Sequence, residues 1–190
     1  MSIKILGGVA RNYSIITPQS CATRPTSVLL KRRLFDSIQQ FDNKVFIDVC
    51  AGSGSIGFEA LSRGAEQVIF IEKDFKNTKI IENNGKNLKQ KFDNLGLFKV
   101  LNYDFKKIFK KESLDKYDSK SLIIFFDPPY ELLELYESFF YFIFQSKISA
   151  KVIVEACEQK TMPLVKFQEL YGEANKTFKQ GTSYFAIYDI

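Results

Sequence analysis

Residues 45–57 read VFIDVCAGSGSIG, and this stretch decides the fold class. Its first five residues are mostly apolar, which is typical of a buried strand. Three glycines then follow a G-x-G-x-x-G pattern, at Gly52, Gly54 and Gly57. Glycines permit a tight turn and let a ligand approach the backbone. The pattern is weak by itself, but it lies between a strand and a helix predicted over Ser55–Ser62, and this order indicates a site for a nucleotide-like cofactor.

From residue 44 onwards, apolar runs alternate with helical patterns. Strands are predicted at Val45–Val49, Gln67–Glu72, Leu97–Leu101, Leu122–Phe126 and Val152–Ala156. The matching helices are predicted at Ser55–Ser62, from Asp74 to about Lys91, near Phe105–Lys111 and at Leu132–Gln145. A closing antiparallel hairpin is predicted from Asn175–Gln180 and Ser183–Ile190. The chain is therefore expected to be an α/β protein with a doubly wound, mostly parallel sheet of seven strands. The usual order 3-2-1-4-5 places its first and fourth strands side by side.

The first 43 residues follow a different pattern and are predicted to form a small extension of the domain at 44–190. Ile3–Thr17 alternates around two glycines and predicts a short hairpin. Thr26 is expected to cap a helix that runs to about Phe41. Its predicted buried stripe is Leu30, Leu34, Ile38 and Phe41, with Lys31, Arg32 and Arg33 directed towards solvent or a ligand.

The composition excludes several kinds of chemistry. The 190 residues contain no histidine, which removes Ser-His-Asp and Cys-His catalysis. The three cysteines are scattered, so we expect no disulfide framework, no metal site and a reducing cytoplasm. The apolar stretches are shorter than the ~20 residues of a membrane helix, and the N-terminus lacks the apolar core of a signal peptide.

The net charge of +5 is concentrated at the N-terminus. Residues 1–44 hold seven basic and two acidic side chains, whereas the remaining residues hold 20 of each. A charge excess confined to one quarter of the chain favours a surface that faces a polyanion.

Acidic side chains follow the predicted strands. Asp48 lies at the end of the first strand, just before the loop, Glu72 ends the second strand, 20 residues after Gly52, and Asp104 comes just after the third. Glu72 can accept hydrogen bonds from a ribose diol, and Asp104 is placed to meet an adenine amino group. Both a dinucleotide and S-adenosylmethionine fit this arrangement. Asp48 favours S-adenosylmethionine, because a carboxylate there disfavours a pyrophosphate and suits an ammonium or sulfonium group. The predicted cofactor-binding residues are Asp48, Cys50, Ala51, Gly52, Ser53, Gly54, Gly57, Glu72, Lys73, Asp104 and Asp127.

Residues 123–130 read IIFFDPPY, an apolar strand that ends at Asp127. The two prolines cannot continue the strand, because they have no N–H and a fixed φ. An exocyclic amine of a nucleobase suits this segment: the Asp127 carboxylate can accept one amine hydrogen and the Pro128 carbonyl the other. Pro129 keeps the segment rigid, and the Tyr130 ring offers a stacking surface to the base. Because a sulfonium is already an activated methyl donor, the four residues predict methyl transfer without histidine or metal.

Four stretches of the chain are similar to motifs of one family. They are residues 3–8 (IKILGG), 24–26 (RPT), 48–65 (DVCAGSGSIGFEALSRGA) and 127–130 (DPPY). Together they resemble the RsmD family of bacterial 16S rRNA guanine-N2 methyltransferases, whose target is guanine 966. The glycine loop and the Asp127–Tyr130 tetrapeptide are shared by many amino methyltransferases, whereas RPT and EALSRGA are much more specific.

The resemblance implies a Rossmann-like class I methyltransferase domain that uses S-adenosylmethionine, preceded by a small RNA-binding extension. It implies 16S rRNA, the small ribosomal subunit or an assembly intermediate as the partner of a cytoplasmic monomer. The expected RNA-binding residues are Arg11, Arg24, Pro25, Thr26, Lys31, Arg32 and Arg33. The chain departs from the family after Thr26, where Leu29, Lys31 and Arg32 replace an Arg-x-Arg-Glu pattern.

Three alternatives remain open. An adenine-N6 methyltransferase acting on DNA or RNA would suit the same tetrapeptide, although RPT and the lack of a large target-recognition domain favour rRNA. A non-catalytic RNA-binding or ribosome-assembly protein could keep the fold, but the intact acids and glycines argue against lost activity. A dinucleotide-dependent oxidoreductase is the most distant alternative.

Overall fold

The computed structural model describes residues 1–18, 27–38, 40–107, 122–146 and 148–190. The strands are β1 (Ser2–Lys4), β2 (Ser14–Ile16), β3 (Val45–Val49), β4 (Gln67–Glu72), β5 (Leu97–Asn102), β6 (Leu122–Phe126), β7 (Lys151–Cys157), β8 (Lys176–Gln180) and β9 (Ser183–Asp189). The helices are α1 (Val28–Ser37), α2 (Ser55–Ser62), α3 (Phe75–Lys91), α4 (Leu133–Gln145) and α5 (Leu164–Tyr171). No helix among these residues is long and apolar enough to cross a membrane.

Seven strands form the main sheet in the order β5-β4-β3-β6-β7-β9-β8. The five strands from β3 to β7 are parallel to their neighbours in that series, and β9 pairs antiparallel with both β7 and β8. The predicted α/β class, the strand order and the closing hairpin are therefore confirmed. The switch point lies between β3 and β6, so the glycine loop and the end of β6 are neighbours.

Helices cover both faces of the sheet. Tyr136 and Phe139 of α4 and Phe167 of α5 belong to the core on one face, where the rings of Phe126 and Phe139 stack at 4.0 Å. The other core joins buried side chains of α1, α2 and α3 to those of the N-terminal hairpin. Because the central strands β3, β4, β6 and β7 are covered on both sides, they are apolar almost throughout, which is why their positions could be predicted.

The N-terminal hairpin, β1 paired antiparallel with β2, is also confirmed. It lies against the end of α2, where the hydroxyl of Ser62 donates to the Gly7 carbonyl and accepts from the Ala10 N–H. Gly8 has φ +75°, and a Cβ there would lie 1.9 Å from the Ser62 carbonyl oxygen, so only glycine fits. The hairpin thus shares a core with the main sheet, and a domain boundary at residue 43 stays a prediction.

Two details of the α1 prediction differ from the structure, one predicted helix lies largely outside the described residues, and one helix was not predicted. The predicted extension of α1 to Phe41 is wrong, because the chain becomes extended at Ile38. Ser27 caps α1 by accepting from the Leu30 N–H, whereas the predicted cap, Thr26, lies outside the described residues. The helix predicted near Phe105–Lys111 also lies largely outside them. Helix α5 was not predicted, although its apolar residues recur at helical spacing after Pro163.

Candidate active site

Four neighbouring strands each place one acid near their carboxyl ends. The acids are Asp48 on β3, Glu72 on β4, Asp127 after β6 and Glu155 on β7. Asp48 lies two residues after Phe46 and Glu72 two residues after Phe70, both of the second core, so the two acids project to the face that carries α1, α2 and α3. Phe126 pairs with Val154, so Asp127 and Glu155 follow as neighbours. The sheet therefore gathers acids from distant parts of the sequence into one row.

The glycine loop adjoins this row. Gly52 has φ +55°, and a Cβ there would meet nothing closer than the Cys50 carbonyl oxygen at 4.0 Å. A Cβ at Gly57, in contrast, would lie 2.3 Å from the Phe70 ring, and one at Gly54 would lie 2.9 Å from Phe58. The described structure thus leaves open space above Gly52, as a ligand cradle requires, while Gly54 and Gly57 allow α2 to pack against the sheet.

Asp48 is 2% exposed and supports the loop from below. Its carboxylate accepts the Gly57 N–H at 2.9 Å, in the first turn of α2. Burial raises the pKa of Asp48 to about 8, and the Gly57 hydrogen bond and the charge of Lys31 oppose that shift. A cationic ligand beside this carboxyl group would lower its raised pKa, because a nearby positive charge favours the ionised form.

Glu72 holds the loop from the neighbouring strand. One carboxylate oxygen accepts the Gly52 N–H at 2.7 Å, and the other accepts the Asp74 N–H at 2.8 Å. Burial raises the pKa of Glu72, although these two hydrogen bonds oppose the shift. Each oxygen can accept more than one hydrogen bond, so both retain acceptor capacity for a ribose diol. The ribose contact itself stays a prediction.

The remaining predicted cofactor residues line the same end of the sheet. The carboxylate of Asp104 accepts the Lys106 N–H at 2.9 Å, so it also caps the turn that follows β5. Cys50 adopts φ +63°, and burial together with Glu72 raises the pKa of its thiol. Ala51 donates its N–H to the Ile71 carbonyl, which ties the loop to β4. Ser53 is half-buried and Lys73 is exposed.

The segment from Asp127 to Tyr130 lies beside the loop, as predicted. The Asp127 N–H donates to the Val49 carbonyl at 3.3 Å, which joins the end of β6 to the end of β3. Burial raises the pKa of Asp127 well above its usual value, and the negative charges of Glu155 and Asp48 raise it further. Pro129 accepts the Leu132 N–H in the turn that leads into α4.

Glu155 is a site residue that sequence reasoning missed. It is 1% exposed, and its carboxylate accepts the Tyr130 hydroxyl hydrogen at 2.7 Å. The sequence did contain a signal, because Glu155 interrupts the apolar run VIVEAC just as Asp127 ends IIFF. The strand prediction passed over it, since an acid near a strand end is commonly exposed to solvent.

The predicted RNA-binding residues do not all share one environment. Arg11, Arg32 and Arg33 are exposed, and the Arg33 guanidinium lies 5.5 Å from the Phe178 ring centroid and donates to the Lys179 carbonyl. Arg24, Pro25 and Thr26 lie outside the described residues.

The expectation that Lys31 faces solvent or a ligand is wrong. Lys31 is 2% exposed, and its ammonium donates to the Ser55 carbonyl at 2.7 Å and lies 3.3 Å from a Glu59 carboxylate oxygen. The buried face of α1 is Leu30, Lys31, Leu34 and Phe35, not the stripe at 30, 34, 38 and 41. Lys31 is three residues before Leu34 and therefore shares its face.

Glu59 connects the extension to the helix behind the glycine loop. Besides Lys31, its carboxylate accepts the Leu6 N–H at 2.8 Å and the Arg63 Nε–H at 2.8 Å. Arg63 also pairs with Asp36 of α1 at 3.1 Å. Residues of the hairpin, α1 and α2 thus meet at one buried carboxylate.

The sheet order, the glycine loop and the acids at the strand ends define a Rossmann-like α/β fold of the methyltransferase type. The family described as "Conserved hypothetical protein 95" matches residues 3–189, so the chain belongs to that family. A relative in Haemophilus influenzae, "Ribosomal RNA small subunit methyltransferase D", is 30% identical over 129 residues, which cover 67% of this chain and 64% of that protein. The resemblance found in the motifs is thereby confirmed. The alignments span between about half and two thirds of the first curated relatives.

Solved structures share the fold, as two examples show. Hypothetical protein TTHA0928 of Thermus thermophilus superposes with a TM-score of 0.75 at 22% identity, covering 99% of each chain. The structure of SMU.776 complexed with SAH gives a TM-score of 0.62 at 13% identity, covering 85% of this chain and 50% of that one.

Proposed function

We propose that the chain transfers a methyl group from S-adenosylmethionine to the exocyclic N2 amine of a guanine in 16S rRNA, at guanine 966 by family resemblance. The observation that carries this proposal is the Asp127 N–H to Val49 carbonyl hydrogen bond, because it holds the segment proposed to accept the amine beside the glycine loop. The name of the Haemophilus influenzae relative supports rRNA of the small subunit as the substrate class.

The residues present fit S-adenosylmethionine. Open space lies above Gly52, and the buried acids Asp48 and Glu72 flank the loop on adjacent strands. Asp48 would face the ammonium or sulfonium end, Glu72 the ribose, and Asp104 the adenine amino group. A bound S-adenosylmethionine would supply an electrophilic methyl group. This donor set suits a cation better than a pyrophosphate, which argues against a dinucleotide cofactor.

The Asp127–Tyr130 segment would hold the target base. The Asp127 carboxylate and the Pro128 carbonyl accept the two amine hydrogens, which directs the nitrogen lone pair towards the methyl group. Proline rings at 128 and 129 restrict the backbone, so these acceptors are positioned before the base arrives. The raised pKa of Asp127 indicates that its ionised form is costly in the free protein, and the positive charge that develops on the amine would offset that cost.

The RNA would contact the exposed basic residues of the extension. Arg11, Arg32 and Arg33 are available, and the RPT segment at 24–26 completes the set expected from the family. Lys31 is not included, because its ammonium is paired with Glu59. We propose further that the partner is the small subunit or an assembly intermediate, and that the protein acts as a cytoplasmic monomer.

The proposal is tested by incubating the protein with labelled S-adenosylmethionine and undermethylated small ribosomal subunits, followed by nucleoside analysis. We expect label in N2-methylguanosine. Label in N6-methyladenosine would favour the adenine alternative, and no label with any rRNA or DNA substrate would favour an RNA-binding assembly protein.

Asp127→Ala is the decisive variant for the chemical step. Cofactor affinity should stay within about threefold of the wild type by calorimetry, while the methylation rate should fall at least about 10²-fold, because an electrostatic contact to the reacting amine is removed. Lys166→Ala, an exposed residue of α5, is the control and should leave both quantities unchanged. Full activity of Asp127→Ala would contradict the mechanism.

A further inference from the structure

A buried carboxylate stands behind the tetrapeptide and has no part in the chemistry described so far. Glu155 is 1% exposed on β7, between β6 and β9 in the sheet. A charge at such a position is costly unless it is well hydrogen-bonded. Its carboxylate accepts the Tyr130 hydroxyl hydrogen at 2.7 Å.

The Tyr130 ring is therefore held at two ends. Its backbone follows two prolines, and its hydroxyl reaches across to the Glu155 carboxylate on β7. Burial and the charge of Glu155 raise the pKa of Tyr130, so the hydroxyl stays protonated and acts as the donor to Glu155. A tyrosine with a free hydroxyl could rotate about its side-chain bonds, whereas this one is fixed in a single orientation.

We propose that Glu155 is a positioning residue for methyl transfer, which fixes the Tyr130 ring so that the target base stacks with its amine at Asp127. The inference rests on the proposed function, because it assigns a purpose to a hydrogen bond behind the predicted base-binding segment. Misplacement of the base would lower the rate of methyl transfer steeply, since in-line attack depends on the alignment of the nitrogen and the methyl carbon.

A mutant cycle of Glu155 and Tyr130 tests the proposal by activity. Glu155→Ala and Tyr130→Phe should each lower kcat at least about fivefold, with the S-adenosylmethionine Kd unchanged within about twofold. The double variant should be no worse than Glu155→Ala alone, because both changes remove one hydrogen bond. Glu155→Gln keeps an acceptor oxygen and should restore most of the rate. Independent, multiplicative losses, or a Glu155→Ala variant as active as the wild type, would overturn the proposal.

The pH profile separates positioning from a general loss of stability. The titratable groups that surround Asp127 are Asp48 on β3, Cys50 in the loop, Tyr130, Tyr136 on α4 and Glu155 on β7. Removing the Glu155 charge lowers the pKa of Asp127, so the acidic limb of the kcat profile should move to lower pH in Glu155→Gln. An unmoved limb would show that Glu155 does not act on the reacting segment.

A measurement that needs no activity keeps this proposal distinct from the proposed function. Tyrosine can be labelled with ¹³C in the ring and the Tyr130 signal assigned from Tyr130→Phe. That signal should shift and narrow in Glu155→Ala as the ring becomes mobile. Tyr136 is the internal control, since its hydroxyl donates to the backbone carbonyl of Glu155 at 3.0 Å, a bond that every variant keeps. An unchanged Tyr130 signal refutes the anchor, whereas an inactive wild type with the expected shift refutes only the proposed reaction.

Discussion

Asp48 combines full burial with a titration close to neutral pH. It is 2% exposed, and its pKa is raised to about 8 by burial, far above the value near 4 of an unfolded aspartate. Between about pH 4 and pH 8 the folded protein therefore keeps a proton that the unfolded chain has released. The free energy of unfolding contributed by this group must fall as the pH rises through that window.

Asp48→Asn should remove this pH dependence while the amide oxygen still accepts the Gly57 N–H. Urea unfolding at pH 5 and pH 8 measures it. The difference in unfolding free energy, variant minus wild type, should be more positive at pH 8 than at pH 5, with an upper limit of roughly 1.4 kcal/mol per pH unit. The Asp48 charge also raises the pKa of Asp127, so its removal weakens the pH dependence that comes from Asp127 and acts in the same direction. A difference that stays constant with pH would contradict the assignment.

Single residues also show where sequence reasoning works and where it stops. Glu72 and Asp127 could be found because each ends an apolar run, and Asp48 because it lies just before the glycine loop; the structure brings the three together. Glu155 ends no motif, and its importance depends on a partner 25 positions away, Tyr130. A contact of that kind exists only after the sheet has paired β6 with β7, so the interruption of VIVEAC marks Glu155 but not its partner.

At the scale of elements, α1 is joined to α2 by a buried ion pair. Lys31 lies 3.3 Å from Glu59, and their side chains are 3% and 0% exposed. Burial lowers the pKa of Lys31, although the Glu59 charge opposes that shift. The sequence prediction placed this lysine on the exposed side of α1 because it is charged, although its position in the helix lies on the buried face. The long side chain lets α1 bury that position while its ammonium reaches the Ser55 carbonyl at the end of the glycine loop.

Lys31→Met should destabilise the fold by about 2–4 kcal/mol, since it leaves a buried carboxylate with one cation fewer. Arg63 and the Leu6 N–H remain as partners of Glu59 and limit the loss. Arg32→Met is the matched control on the exposed side of the same helix and should change the unfolding free energy by no more than about 0.5 kcal/mol. Urea unfolding measures the free energy of unfolding of both variants. Equal losses would mean that the Lys31–Glu59 pair contributes nothing to stability.

The predicted helices were less accurate than the predicted strands for a physical reason. A strand covered on both faces is apolar throughout and ends at a polar residue, as IIFF does before Asp127. The end of α1 depends instead on local backbone geometry at Ile38, where φ is −98° and ψ is 99°. Such a change of direction serves the packing of Phe41 beneath Phe35, whose rings lie 5.6 Å apart, and sequence spacing does not encode it.

At the scale of the molecule, the basic extension and the C-terminal hairpin meet on one surface. Arg33 lies over Phe178 of β8, and Lys176 lies 4.9 Å from the centroid of the same ring. Basic residues from later in the chain, such as Lys176, therefore lie beside the positively charged segment 1–44. The charge distribution of the sequence predicted that residues 1–44 face a polyanion. Only the tertiary fold shows which later residues lie beside them.

Arg32→Gln together with Arg33→Gln should weaken binding to small-subunit rRNA and reduce the slope of log K against log salt by roughly 1.5, because about two phosphate contacts are lost. Filter binding at salt concentrations from about 50 to about 300 mM measures it. Lys166→Gln, on α5 across the sheet, is the control for a single charge and should keep the slope of the wild type. An unchanged slope in the double variant would place the RNA elsewhere on the molecule.

The position of β9 has a kinetic consequence. It is inserted between β7 and β8, both of which precede it in the chain, and Ala150 exchanges two backbone hydrogen bonds with Ile190 at its end. During synthesis, β7 must therefore present an unpaired apolar edge until residues 183–189 have left the ribosome. Exposed strand edges invite association with other chains. The nascent protein is therefore prone to aggregation until β9 has paired with β7.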